Sequence, residues 1–133
     1  MPITETKSTP QPTAEPKKSV RLLYSCSGAA NTGNLADEIA RRLAREGVGK
    51  MTCLVSVGAG LPRFLEEAKT ADELIVIDGC PISCGQIIFA KLGIPIRHFA
   101  TTEEGVEKNK TPITEELIET VKESIKHKIE HGE

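Results

Sequence analysis

From Val20 onward the chain alternates short apolar runs with stretches whose apolar residues recur every three or four positions. Val20-Arg21-Leu22-Leu23-Tyr24-Ser25-Cys26 reads as a first strand, and a turn of small residues, Ser27 to Asn34, follows it. Leu35, Ile39 and Leu43 then repeat every fourth residue with Ala36, Ala40 and Ala44 beside them and Arg41, Arg42 and Arg45 off that stripe, which predicts an amphipathic helix stopped by Gly47. Met51 to Val57 reads as a second strand, Gly58-Ala59-Gly60 as a turn, and Pro62 opens a short helix running to about Lys69. The β-branched run Leu74-Ile75-Val76-Ile77 predicts a buried third strand, and Gln86 to Leu92 a helix. Ile94 to Phe99, with Pro95 inside it, reads as an edge strand. The last helix is predicted from a Thr111 cap and Pro112 at its first position, with Ile113, Leu117, Val121, Ile125 and Ile129 spaced by four.

Strands alternating with helices imply parallel pairing, because each right-handed crossover places a helix on one face of the sheet. The pattern predicts an α/β fold: a three-layer α/β/α sandwich around a four-stranded parallel sheet, strand order 2-1-3-4, of flavodoxin or Rossmann type. In that order the chain leaves strand 1 in opposite directions, and a crevice opens between the C-terminal ends of strands 1 and 3. Cys26 ends strand 1, and Cys80 and Cys84 follow strand 3, so three thiols converge on that crevice. The organisation predicted is one α/β metal-binding domain over residues 19–133, preceded by a disordered tail over 1–18, where four prolines stand among Thr, Lys, Glu and Gln.

Charge narrows the partners. The 17 Lys and Arg nearly balance 19 Asp and Glu, without a basic stripe interleaved with aromatics, which argues against nucleic acid. No apolar run approaches the roughly 20 residues needed to span a bilayer, and the N-terminus lacks a secretory apolar block, so no membrane partner and a cytoplasmic location are expected. In that reducing compartment four cysteines point to metal ligation or catalysis rather than disulfides.

The densest chemistry lies in Asp78-Gly79-Cys80-Pro81-Ile82-Ser83-Cys84-Gly85, on a strand-to-helix turn. Ser83 and Gln86 have the S-x-x-Q spacing of a capping box, which would make Ser83 the N-cap and set the Cys84 sulfur among free N–H groups at the positive end of a helix dipole. Thiolates gathered in one crevice suit a tetrahedral soft-metal site, with Zn²⁺ the first choice and an iron–sulfur cluster the second. Cysteines also fill cores, and that simpler reading fits Cys53, inside the predicted second strand, best. Asp78 is either a carboxylate supporting the thiols or a turn residue bonding its own backbone.

Tyr24-Ser25-Cys26-Ser27-Gly28, Cys53-Leu54 and Asp78-Gly79-Cys80-Pro81-Ile82-Ser83-Cys84 together resemble the DGC-domain family, named for its Asp-Gly-Cys motif and described as zinc-binding through four candidate cysteine ligands. The resemblance runs from about Val20 to Phe99. It implies that Cys26, Cys53, Cys80 and Cys84 are the ligand candidates; it implies no reaction. Four thiolates would close the coordination shell for a structural, storage or sensing role, whereas three would leave a position open to water, a thiol ligand or His98. His98 is more simply an edge-strand histidine, His127 and His131 a solvated helix end, and the glutamate pairs Glu103-Glu104 and Glu115-Glu116 solvated surface.

A reading without metal starts from the turn after Cys26. Ser27, Gly28, Asn31, Thr32 and Gly33 open a helix and could cradle a small anionic ligand, with Cys26 as nucleophile in a thiol transferase or reductase. The arginine that cysteine phosphatases place six residues after the nucleophile is absent; Thr32 stands there. Flavin binding, suggested by the turn's likeness to a flavodoxin phosphate loop, is disfavoured by a chain with no Trp and one Tyr.

Overall fold

The computed structural model describes residues 19–132; the expected tail over 1–18 lies outside them. Four parallel strands, β1 (Arg21–Ser25), β2 (Lys50–Met51), β3 (Glu73–Asp78) and β4 (Arg97–Ala100), form one sheet in the order β2-β1-β3-β4. This is the predicted 2-1-3-4 order. Helices α1 (Asn31–Arg45), α2 (Leu54–Gly58), α3 (Pro62–Thr70), α4 (Cys84–Leu92) and α5 (Glu115–His131) cover the sheet.

Alternation along the central strands divides the core in two. Leu23, Ile75 and Ile77 face Leu35, Ile39 and Leu43 of α1 and Val121, Ile125 and Ile129 of α5. Leu22, Tyr24, Leu74 and Val76 face the other way, against Leu54 and Val57 of α2, Ala68 of α3 and Phe89 of α4. Each fully buried Leu, Ile or Phe contributes about 1.5–3 kcal/mol of transfer free energy, so the central strands, covered on both faces, anchor the fold.

Two boundaries and one capping bond differ from those expected, while Ser83 stands at the expected N-cap and Cys84 begins the helix. β2 ends at Met51, and Leu54–Gly58 is a helical turn instead of a continued strand. Leu54 and Val57, three apart, reach the core from one helical face; a short apolar run fits either period, and here packing beneath α4 decides. α5 begins at Glu115, with Thr114 accepting the Leu117 N–H at 3.1 Å, while the hydroxyl of Thr111 accepts the Glu107 N–H at 2.8 Å in the preceding loop. Ser83 makes no capping bond: it sits in the left-handed region (φ 55°) with its hydroxyl donated to the Cys80 carbonyl at 3.3 Å.

α1 and α5 are also joined by charge. The Lys122 ammonium, 3% exposed, donates to Glu46 and, at 2.7 Å, to Glu119, while Lys126 reaches Glu46 at 3.0 Å. Hydrogen bonds from Lys122 and Lys126 hold the Glu46 carboxyl below the usual carboxylate range. A carboxyl whose value is lowered on folding stabilises fully above its unfolded value and loses that contribution as the pH falls through its folded value. We expect Lys122→Ala to cost about 1–3 kcal/mol at neutral pH, as for a lost hydrogen bond to a charged group, and urea unfolding should show the difference between variant and parent shrinking at pH values below the ordinary carboxylate range.

Candidate metal centre

Cys26 continues the β1 ladder by one bond, its N–H donated to Ile77 O at 3.2 Å. This holds the half-buried thiol at the mouth of the crevice between β1 and β3, where the sulfur accepts the Gly79 N–H at 3.3 Å. Burial pushes the Cys26 thiol up; the backbone N–H groups of Gly28 and Gly79 pull it back, and the neighbouring Asp78 and Cys80 push it further up. The next residue, Ser27, takes a left-handed conformation (φ 50°), with its hydroxyl donated to Asp37 Oδ1 at 2.8 Å. Arg41 Nε donates to the other oxygen of Asp37, also at 2.8 Å.

The small residues of the Cys26 turn lock two loops together. A Cβ on Gly33 would stand 2.6 Å from Gly28 N, and one on Gly79 would stand 2.6 Å from the carbonyl carbon of Thr32. Backbone therefore lies on backbone, from the β1 loop to the start of α1 and on to the β3 loop, at distances only glycine permits. This packing draws together the turn expected as an anion cradle. The Gly33 and Asn34 N–H groups both bond Ala30 O at 3.0 Å. Asn31 clamps the loop before α5, donating to Glu107 O (3.1 Å) and Thr111 O (2.8 Å) and accepting the Asn109 N–H (2.6 Å). Thr32 is buried in the contact with Gly79, its hydroxyl without a partner among the described residues.

At the end of β3 the Asp78 carboxylate, 1% exposed, turns onto the start of α4. Its Oδ1 accepts the Gly85 N–H at 2.9 Å, and its Oδ2 accepts the Gln86 N–H at 3.1 Å and lies 2.8 Å from His98 Nε2. Asp78 thus takes the capping role expected of Ser83, because an anion at a helix N-terminus satisfies both free N–H groups and the dipole. Gly85 makes room for it: a Cβ there would lie 2.7 Å from Val76 Cγ1 and 3.0 Å from Asp78 Oδ1. Cys84 is the first residue of α4 and is exposed; Cys80, half-buried, begins the turn closed by the Ser83 N–H on Cys80 O at 3.0 Å.

Cys53 is exposed, not core. It caps α2, accepting the Ser56 N–H at 3.4 Å, and hydrogen bonds from the Ser56 side chain and backbone pull its thiol below the usual thiol range. With Cys26, Ser27, Asp37, Arg41 and Met51 it lines a cleft of about 320 Å³. Cys26 therefore stands between two niches, Cys53 across the cleft on one side and Cys80 across the crevice on the other. Among the described residues no three sulfurs lie within 4.8 Å of one another; the carboxylate trio that does, Glu46, Glu119 and Glu123, surrounds the Lys122 ammonium. His127 and His131 stack on each other at the end of α5, with ring centroids 4.2 Å apart.

The donor chemistry at the ends of β1, β2 and β3 fits a soft metal ion: thiols, with N–H groups already directed at the Cys26 sulfur. The carboxylate–helix cap and its histidine were not predicted from sequence. Their one local signal is Gly85 following Cys84, a glycine where a side chain would collide with Asp78.

The chain is 32% identical over 94 residues to the "Anaerobic and virulence modulator AnvM" of Pseudomonas aeruginosa, an alignment covering 70% of this chain and 72% of that protein. No solved structure gives a significant match. The DGC domain profile matches residues 22–125, which takes in all five helices at least in part, the four strands but for one residue and the four cysteines, and the chain accordingly belongs to the DGC domain family.

Proposed function

We propose that this protein binds a thiophilic metal ion, zinc before an iron–sulfur cluster, through thiolates drawn from Cys26, Cys53, Cys80 and Cys84, in a storage or sensing role and in the cytoplasm. The observation that carries this reading is the Cys26 sulfur at the sheet's switch point, accepting the Gly79 N–H with Cys80 close enough to affect its ionisation. N–H donors of this kind offset the negative charge that accumulates when several thiolates share one ion. Cys26, Cys53, Cys80 and Cys84 would hold the ion, and among the described residues no three of their sulfurs lie within 4.8 Å of one another. Zinc would supply charge neutralisation and a fixed tetrahedral arrangement. The chain's own residues supply orientation: the Gly28, Gly33 and Gly79 interlock sets Cys26 against the Cys80 turn, and the Asp78 cap sets the start of α4. The relative's name speaks of modulation, which supports sensing over catalysis. No helix among the described residues is long and apolar enough to cross a membrane.

Plasma mass spectrometry of the purified, untagged protein, with thiol titration before and after chelation, should find about one zinc per chain and thiols released on chelation. Cys26→Ser and Cys80→Ser should each lower the metal content at least several-fold; unchanged content in both would remove this reading.

A second reading, thiol-based transferase or reductase chemistry, is favoured by one observation: Cys53 is exposed on the cleft and its thiol is pulled down by Ser56. It moves the nucleophile from Cys26 to Cys53. In metal-free protein at neutral pH, iodoacetamide should label Cys53 about 10-fold faster than Cys26, the more acidic and accessible thiol reacting first. Peptide mapping that finds equal, slow labelling at both would discard the second reading.

A further inference from the structure

Asp78 and His98 are joined across neighbouring strands. Register sets His98 of β4 opposite Val76 of β3, so both side chains leave the sheet on the face that carries α4, as does that of Asp78 two residues further on. Three groups meet the carboxylate there: the Gly85 N–H donates at 2.9 Å, the Gln86 N–H donates at 3.1 Å, and His98 Nε2 lies 2.8 Å away. A carboxylate this buried is costly unless each oxygen is bonded, and His98 is its partner from outside α4. The His98 side chain is itself only 16% exposed, which limits the ring's freedom to turn away. Between the carboxylate and its two N–H partners lies the segment Gly79–Cys84, so the carboxylate staples the two ends of the loop that carries Cys80 and Cys84.

We infer that His98, acting through Asp78, is the positioning residue for the Cys80–Cys84 turn, fixing where α4 begins and hence where its two thiols stand. In this arrangement His98 orients the carboxylate with Nε2 and is not one of the metal ligands. The effect on metal affinity rests on the metal-binding reading above; the positioning itself rests on the hydrogen bonds alone.

The test uses the full chain as wild type, His98→Ala and His98→Gln, the last keeping a side-chain donor within reach of Asp78. In the metal-free proteins, amide hydrogen exchange at Gly85 and Gln86 should accelerate about 10-fold or more in His98→Ala, without comparable change at Ile39 in α1 or Ile125 in α5, as expected for local opening. His98→Gln should restore most of the protection. Zinc affinity, by competition with a chromophoric chelator, should fall about 10–100-fold in His98→Ala and recover in His98→Gln, as for loss of a group that orients ligands. Unchanged exchange at Gly85 and Gln86, or equal acceleration throughout the chain, would overturn the inference. So would a His98→Gln variant as impaired as His98→Ala, or a nitrogen ligand in the X-ray absorption spectrum of the zinc-loaded protein that disappears in His98→Gln. If the wild type takes up no zinc, the metal-binding reading fails by itself and the exchange comparison still decides the role of His98.

Discussion

A carboxylate buried at the end of a central strand has to be satisfied, and Asp78 is satisfied by the first N–H groups of α4 and by His98. Much of the site geometry follows from that requirement. The helix start is held to the strand end, the intervening turn must close within a few residues, and the residue that begins α4 is a cysteine. Gly85 must lack a side chain because the carboxylate and Val76 occupy the space a Cβ would take. The acid and the glycine after the second thiol are two halves of one contact, which explains their common presence in this stretch better than turn propensity does.

The second constraint is backbone contact. Gly28 against Gly33, and Gly79 against Thr32 and Gly33, bring the loops after β1 and β3 together with the first turn of α1. In flavodoxin-type folds the equivalent place is open to a ligand's phosphate. Here the loops contact each other at Gly28, Gly33 and Gly79, and the Asn31 side chain holds the loop before α5. The same packing brings the Gly79 N–H to the Cys26 sulfur.

The thiols are not equivalent. Cys26 and Cys80 are half-buried at the ends of central strands, whereas Cys53 and Cys84 are exposed at helix starts. At α4 the helix N–H groups are taken by Asp78; at α2 the Ser56 N–H goes to the cysteine itself. Cys53 stands at the N-cap of α2 and Cys84 one position further in, as the first residue of α4, so the two thiols meet different surroundings.

The layers, the strand order and the placement of Cys26, Cys80 and Cys84 at the C-terminal edge of the sheet were legible in the chain, because these rest on local apolar periodicity and on the handedness of parallel crossovers. Residue type and position also pointed to Cys26, Cys80 and Cys84 as candidate donors, whereas Cys53 joined that set only through the family resemblance. Tertiary structure decided what local pattern leaves open. Leu54 to Val57 fits both a strand and a helical turn, and packing under α4 chose the turn, carrying Cys53 out of the core and onto the cleft. Ser83 stands at the N-cap, but its hydroxyl goes to Cys80 O, and the Asp78 carboxylate arriving from β3 takes the Gly85 and Gln86 N–H groups. Asp78, His98 and the glycine contacts acquire their roles only when strands distant in sequence become neighbours, and that proximity is a property of the folded chain rather than of any stretch within it.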